Sequence, residues 1–289
     1  MLTRLVTLLV GGVLVTACDP EPEARVVPQP TSPWPRCTQQ VWSADHETGD
    51  LSQWYLGEGG GEFNSGHARS SASQDVAHSG RYSAKLTIET PSVPITSGVR
   101  LFRWRESHAL TEACYSAWYY FPRRYSAPIW WNVLSFKSRS GNDANDAFWS
   151  LQIGNRVLGP MFVYLNWWEG LPVDGPQRGQ HGGRSFEQKV KDVPVSQWTH
   201  IEIYLRQSSG FDGRIVVWQD GVELFDVDHV RTRYPAVNGA GEWMVANYSD
   251  IITPDPATFY VDDAAIGTID HAPPALSWIA PNAQTPTNR

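Results

Sequence analysis

The chain has no excess of positive charge. Its 289 residues include 23 Lys and Arg against 30 Asp and Glu, which gives a formal net charge of -7. Binding to nucleic acid needs a basic face, so the composition argues against a nucleic-acid partner. The chain also lacks an internal repeat with a period of about 20–50 residues, which argues against propellers and solenoids.

Apolar residues at helical spacing are scarce, and short alternating segments take their place. Ile201, Ile203 and Leu205 alternate with polar neighbours, which is the pattern of a strand with one buried face. Asp220-Gly221 joins two apolar runs, a strong signal for a type I′ hairpin. Similar runs lie at 40–45, 82–89, 99–104, 114–121, 132–138, 148–153, 161–167, 242–248 and 258–266. Together they predict an all-β fold, a two-sheet antiparallel jelly-roll sandwich.

Long apolar runs are also missing. The run at residues 5–15, which follows Arg4, is too short to span a bilayer, because a spanning helix needs about 20 residues. Small residues then precede Cys18, and this segment resembles a bacterial lipobox. The resemblance implies lipidation at Cys18, a location in the cell envelope, and membrane contact through that anchor only. The alternative is an ordinary signal peptide cleaved after Ala17.

Cysteine is rare, with three residues in the chain. If Cys18 carries lipid, Cys37 and Cys114 remain, and an even pair in an oxidising compartment suggests one disulfide. Two unrelated buried thiols are the alternative. Tryptophan, by contrast, is abundant, with 14 residues. Core packing explains most of them, and the rest suggest a sugar-binding surface, because aromatic rings stack on the apolar faces of pyranoses.

Composition divides the chain into four segments. Residues 1–18 are the signal peptide, and the proline-rich residues 19–40 are an extended tether. Residues 41–270 contain the strands and form the predicted domain. Residues 271–289 return to Pro, Ala, Asn and Thr and are expected to be a loose tail. We expect a monomer.

Four segments carry a family resemblance: WSADHETGDLSQW at 42–54, CYSAWYYFPRRY at 114–125, SLQIGN at 150–155 and WMVANYSD at 243–250. They resemble the concanavalin A-like lectin/glucanase superfamily and, within it, jelly-roll polysaccharide lyases of the heparin-lyase-I, glucuronan-lyase and alginate-lyase types. The resemblance implies an extracytoplasmic enzyme that cleaves an anionic, uronate-containing polysaccharide by β-elimination. The alternatives are a non-catalytic carbohydrate-binding or adhesion module on the same fold, and a structural envelope lipoprotein.

The chain lacks the Glu-x-Asp-x-x-Glu strand of the superfamily's glucanases. That strand places two carboxylates on one face for retaining hydrolysis, so its absence argues against such a hydrolase.

Elimination on a uronate needs a group that neutralises the carboxylate, a base for the C5 proton and an acid for the leaving oxygen. The resemblance assigns the first role to Gln152, which matches the glutamine of a family Gln-Ile-His strand. Gly154 stands where that strand has its histidine, and His181, in a glycine-rich loop, could replace it. Tyr248 matches the tyrosine of a family Gly-x-Tyr strand and would act as the acid, and it could also be the base.

The positive charge that would bind an anionic polysaccharide could come from Lys137, Arg103 and Arg105. Arg103 and Arg105 are two residues apart, so on a strand they would share one face. A charged outer face away from the substrate is the alternative.

The segment VYLNWWEG adds a second group of candidate substrate-binding residues. Alternation places Tyr164, Asn166 and Trp168 on one face of a strand. Asn166 could be a second carboxylate neutraliser, and Trp168 could be a platform for a sugar ring.

A structural Ca²⁺ is the expected cofactor, and no organic cofactor is expected. Glu47, Asp50 and Asp263 resemble the acidic residues of the first and last strands that hold calcium in related sugar-binding sandwiches. The ion would stabilise the fold. Solvated carboxylates in turns are the alternative.

Overall fold

A computed structural model gives the structure of the chain and describes residues 37–90, 96–139, 145–157, 159–170, 181–234 and 241–269. These residues form fifteen strands, a short 3-10 helix (Ser52–Glu58) and one short α-helix, α1 (Arg105–Ala109). The strands are β1 Cys37–Ala44, β2 Gly60–Ser65, β3 Ala68–Ser73, β4 Ser83–Ile88, β5 Ser97–Arg103, β6 Glu112–Tyr120, β7 Trp131–Arg139, β8 Asn145–Asn155, β9 Met161–Gly170, β10 His181–Glu187, β11 Trp198–Arg206, β12 Gly213–Gln219, β13 Val222–Val230, β14 Gly241–Ser249 and β15 Ala257–Ile269. No helix in this part of the chain is long and apolar enough to cross a membrane.

The strands pair into two antiparallel sheets. Sheet A has the order β13-β12-β11-β6-β15-β4-β3, with β1 also paired to β15. Sheet B has the order β10-β9-β8-β7-β14-β5-β2. The prediction of an all-β, two-sheet antiparallel sandwich is therefore confirmed.

The predicted hairpin between β12 and β13 is confirmed by its backbone. Asp220 and Gly221 have φ angles of 47° and 75°, the two positive values that a type I′ turn needs. The alternation in β11 is also as predicted, because Ile201, Ile203 and Leu205 are buried.

The core lies between the sheets and is rich in aromatic rings. Trp54 packs against Trp42 and Trp243, with ring centroids 4.7 and 5.9 Å away. Trp131 and Trp149 are also fully buried, so core packing accounts for these tryptophans. Trp168 is 42% exposed and lies outside the core.

Three strands were not predicted, and all three are edge strands. β2 and β10 close the two ends of sheet B, and β3 closes one end of sheet A. β2 and β10 contain adjacent glycines, and β3 is rich in serine. An edge strand buries little side-chain surface, so its sequence lacks the apolar alternation on which the prediction relied.

The domain begins earlier in the sequence than predicted. β1 begins at Cys37, so residues 37–40 belong to sheet A and not to the tether. The predicted signal peptide, with Cys18, and the C-terminal tail lie outside the described residues.

Candidate active site

The outer face of sheet B carries an open groove of about 560 Å³. Side chains from β5, β7, β8, β9, β10, β14 and the segment before β7 line it. The groove brings together the predicted residues Lys137, Gln152, Tyr164, Asn166, Trp168 and Tyr248.

Strand alternation explains why these side chains meet. In β8, Leu151 and Ile153 are buried in the core, so Gln152 faces the groove. Gln152 pairs with Tyr164 of β9, and the next groove-facing residue of β9 is Asn166. The predicted shared face of Tyr164, Asn166 and Trp168 is therefore confirmed as a geometric fact.

Gln152 is held by hydrogen bonds at both ends of its amide. The Tyr164 hydroxyl donates to Gln152 Oε1 at 2.5 Å, and Gln152 Nε2 donates to Ser150 Oγ at 3.2 Å. Burial and, to a lesser extent, the charge of Glu187 together raise the pKa of Tyr164 to about 12. Tyr164 therefore stays a protonated donor at neutral pH, and the amide nitrogen of Gln152 keeps one N–H for a ligand.

Tyr248 lies between two neighbouring side chains. The guanidinium carbon of Arg100 is 4.1 Å from the centroid of the Tyr248 ring, and the Trp130 ring centroid is 4.6 Å away in an edge-on arrangement. The Trp130 indole nitrogen in turn donates to Asp250 at 3.1 Å. These contacts fix the plane of the Tyr248 ring at the groove.

Arg100 is the groove arginine that the sequence analysis missed. It is 9% exposed, and its Nη1 donates to Ser65 Oγ at 3.4 Å. Burial lowers the pKa of Arg100, and the nearby Tyr248 and Glu242 oppose that effect. The signal was present in the sequence, because Arg100 lies between Val99 and Leu101 and must therefore face away from the core.

The prediction that Arg103 and Arg105 share a strand face is wrong. β5 ends at Arg103, and Arg105 is the first residue of α1. Arg103 is 1% exposed, forms an ion pair with Glu106 at 2.6 Å and donates to the Trp54 carbonyl oxygen at 2.8 Å. Arg103 therefore stabilises the position of the 3-10 helix through its bond to Trp54, and it does not line the groove.

Arg105 also lies away from the groove. Its side chain is exposed and donates to the Gly57 carbonyl oxygen at 2.9 Å. Arg105 therefore contacts the end of the 3-10 helix, and Arg100 supplies the buried positive charge of the groove.

Asn132 is a further groove residue that the sequence analysis missed. It lies opposite both Gln152 and Tyr248 in the sheet register. A β-bulge in β7 follows it, so that Asn132 and Ser135 both face the groove and hydrogen-bond to each other at 2.6 Å. A bulge breaks the alternation from which faces are predicted, which is why the pattern did not reveal this pair.

The Phe162 ring occupies the space beside Gly154, the position at which the family strand has its histidine. A Cβ atom at Gly154 would lie 2.9 Å from two ring carbons of Phe162, so a larger side chain there would have to displace that ring. His181 is the first residue of β10, paired with Gly170, and its side chain lies outside the described residues. Its role as a base stays a prediction.

Residues 46–248 match the family model described as polysaccharide lyase. The chain belongs to the polysaccharide lyase family. No curated protein matches this lyase in sequence.

Solved structures match the fold of this lyase at low sequence identity. The endo-β-1,4-glucuronan lyase of the fungus Trichoderma reesei matches with a TM-score of 0.62 and 15% identity, covering 79% of this chain and 95% of that one. Alginate lyase vAL-1 from Chlorella virus matches with a TM-score of 0.54 and 13% identity, covering 79% and 99%. The alginate lyase from Aplysia kurodai gives 0.51 and 16%, covering 80% and 100%. These matches confirm the jelly-roll fold.

The three predicted calcium ligands share no hydrogen-bond partner, although Glu47 and Asp263 both contact the segment 78–82. Glu47 accepts from the backbone N–H groups of Arg81 and Tyr82 at 2.7 and 2.8 Å. Asp50 accepts from Ser52 N within its own turn, and Asp263 bonds His78 and Ser79. Among the residues that the structure describes, no three His, Cys, Asp or Glu side chains form a group that could hold a metal ion. Calcium binding stays a prediction.

The predicted disulfide cysteines lie on strands beside the same end of β15. Cys37 of β1 pairs with Ile269, and Cys114 of β6 pairs with Gly267. The side chain of Cys37 lies outside the described residues, so the pairing of the two cysteines stays a prediction.

Proposed function

We propose that this lyase cleaves a uronate-containing polysaccharide by β-elimination in the groove of sheet B. The observation that carries the proposal is the convergence of Gln152, Tyr248 and a buried Arg100 on one groove. An amide donor, a hydroxyl and a positive charge are the groups that elimination next to a carboxylate needs. The names of the glucuronan and alginate lyases with the same fold support a uronate substrate.

Gln152 and Asn132 would neutralise the uronate carboxylate. Both amides face the groove in neighbouring strands, and both are over 90% buried, which strengthens their hydrogen bonds to an anion. Neutralising the carboxylate lets it accept the charge that develops when C5 loses its proton. Lys137, which also lines the groove, would bind another acidic group of the polysaccharide.

Tyr248 would transfer the proton. As a phenolate it takes the C5 proton, the C5–H electron pair forms the C4–C5 double bond, and the bond from C4 to the glycosidic oxygen breaks. The Tyr248 hydroxyl then returns the proton to the leaving oxygen. The Arg100 guanidinium carbon lies 4.1 Å from the centroid of the Tyr248 ring and places a positive charge beside this proton carrier.

The test uses the purified domain with glucuronan, alginate and heparin-type polymers. We expect the ultraviolet absorbance of the unsaturated uronate product to rise with at least one polymer. Tyr248→Phe should lower the rate about 10²- to 10⁴-fold, because it removes the proton carrier. Tyr204→Phe, on sheet A and bonded to Glu112, is the matched control and should stay active. A fully active Tyr248→Phe would contradict the assignment.

A non-catalytic carbohydrate-binding module remains the second candidate. The observation that favours it is the Phe162 ring that occupies the space beside Gly154, because the family's usual base is absent there. Retention of the protein on a polysaccharide column without any ultraviolet product would support this second function.

We also propose a lipid anchor at Cys18, a place in the cell envelope, and a disulfide between Cys37 and Cys114. The support for the anchor is the lipobox-like segment before Cys18. The support for the disulfide is that Cys114 is disulfide-bonded and that both cysteines flank one end of β15. Mass spectrometry of the intact protein before and after reduction, and of a Cys18→Ala variant, tests both modifications.

A further inference from the structure

Two exposed aromatic side chains lie beyond the groove, at the edge of sheet B. Phe63 of the edge strand β2 is 55% exposed, and Tyr55 of the 3-10 helix is 48% exposed. Large aromatic side chains are usually buried, so two that remain exposed side by side indicate a contact surface.

This aromatic surface is continuous with the groove. Ala246 of β14 pairs with Arg100 of β5, and Arg100 pairs with Phe63 of β2. The Arg100 guanidinium carbon is 4.1 Å from the ring centroid of Tyr248 and 5.4 Å from that of Phe63. A polysaccharide bound over Tyr248 would therefore reach Phe63 after crossing β5, which is two inter-strand spacings or roughly 9.6 Å.

A glycine makes room for the rings. A Cβ atom at Gly61 would lie 3.3 Å from Phe102 Cζ and 3.3 Å from Tyr55 Cε1. Gly61 pairs with Phe102 across the strands, and Phe63 is the next residue of β2 on the same face. The rings of Tyr55 and Phe102 thus meet over Gly61, beside Phe63.

Glu62 disfavours a carboxylate at the Tyr55 end of this surface, whereas Arg100 would attract one at the Phe63 end. The Tyr55 hydroxyl lies 3.5 Å from Glu62 Oε2, and Glu62 also accepts from Asn64. A carboxylate placed beside Glu62 would be repelled, whereas a sugar hydroxyl could hydrogen-bond to it. The surface therefore fits the apolar face and the hydroxyl groups of a pyranose.

We propose that Tyr55, Phe63 and Phe102 form a further sugar-binding subsite, which holds a pyranose unit of the polysaccharide beyond Arg100. The proposal rests on the function proposed above, because it assumes that the same polymer occupies the groove. It implies that long chains bind more tightly than short ones, since only a long chain reaches from the groove to β2.

The test compares the wild type with a Tyr55→Ala/Phe63→Ala double variant on the same three polymers. We expect the KM for a cleaved polymer to rise about three- to tenfold, the effect of losing one or two aromatic contacts. The kcat and the KM for short oligosaccharides of that polymer should not change. Phe63→Tyr should restore binding, and Phe211→Ala, at another exposed aromatic ring, is the matched control.

Affinity electrophoresis in gels that contain each polymer shows whether the protein binds that polymer. Together with the kinetics, it distinguishes a failure of the subsite proposal from a failure of the lyase proposal. If the wild type cleaves and the double variant keeps its KM and its retardation, the subsite is refuted and the lyase stands. If the wild type binds without cleaving and the double variant loses retardation, the subsite stands and the lyase fails. If the wild type is not retarded by any polymer, both fail. A dimer that the double substitution dissociates would assign the surface to a second copy of the chain and overturn the subsite.

Discussion

A glutamine neutralises a carboxylate only when its amide nitrogen faces the substrate. The Tyr164 hydroxyl donates to Gln152 Oε1, while Gln152 Nε2 donates to Ser150 Oγ. Tyr164 therefore fixes the oxygen side of the amide and leaves the nitrogen for the substrate. Since its pKa is about 12, this hydrogen bond persists across the neutral range.

Tyr164→Phe should therefore lower kcat about fivefold to tenfold, the effect of one lost hydrogen bond to an acting group. Stability should change little, because phenylalanine fills nearly the same volume. Steady-state kinetics and urea unfolding measure the two effects, with Tyr204→Phe as the control. An unchanged kcat would show that the Gln152 amide does not need this support.

Gly98 lies opposite Tyr248 in the sheet and leaves room for its ring. A Cβ atom at Gly98 would be 2.5 Å from Tyr248 Cδ2, closer than any real side-chain contact. Gly98→Ala should displace the ring and lower kcat about tenfold or more, because proton transfer needs hydrogen-bond geometry. The free energy of unfolding should fall by only about 1–3 kcal/mol.

The control for Gly98→Ala is Gly210→Ala, whose Cβ atom would meet Asp212 Oδ1 at 3.3 Å in a loop of sheet A. That variant should keep full activity. If Gly98→Ala kept its kcat, the position of the Tyr248 ring would not limit the reaction.

At the scale of elements, one side chain joins the two sheets next to the groove. Asn247 of β14 is fully buried, and its Nδ2 donates to the carbonyl oxygens of Leu86 in β4 and Ala257 in β15, each at 3.0 Å. Its Oδ1 accepts from the Trp131 indole nitrogen at 2.9 Å. Sheet B is thereby bonded to sheet A at the residue before Tyr248.

Asn247→Leu should lower the free energy of unfolding by about 3–5 kcal/mol, because it leaves two buried carbonyls and one indole N–H without partners. Urea unfolding, followed by tryptophan fluorescence, measures the loss. Asn64→Leu, on the edge strand β2, is the matched control and should cost less than about 1 kcal/mol. Equal effects of the two substitutions would show that the Asn247 bonds contribute nothing specific.

The sequence predicted the strands that bury one face and missed those that do not. Alternation in β9 correctly placed Tyr164, Asn166 and Trp168 on one face, because Leu165 between them is held in the core. Alternation failed at the end of β5, where the chain turns into α1 after Arg103. It also failed at the bulge beside Asn132, since an extra residue shifts the pattern. Period-two reasoning is therefore reliable only inside regular, paired strands.

At the scale of the whole molecule, buried tyrosines make the fold sensitive to alkali. Tyr115 is 1% exposed, its hydroxyl lies 3.0 Å from Ser107 Oγ, and burial raises its pKa to about 12. The same cause raises the pKa of Tyr204 to about 12. The unfolded chain ionises its tyrosines near pH 10 and thus loses these protons first.

Raised tyrosine pKa values stabilise the fold below about pH 10, and this stability is lost as the pH rises toward about 12. From a shift of two pKa units, we expect Tyr115 alone to account for about 2–3 kcal/mol of the loss above pH 12 and for about half of that by pH 11. Urea unfolding at pH 8, 10 and 11, with tyrosinate absorbance as a second probe, measures it. In Tyr115→Phe the loss between pH 10 and 11 should be visibly smaller, because phenylalanine cannot ionise. If the two proteins lost stability in parallel, the alkaline transition would arise from groups outside this part of the core.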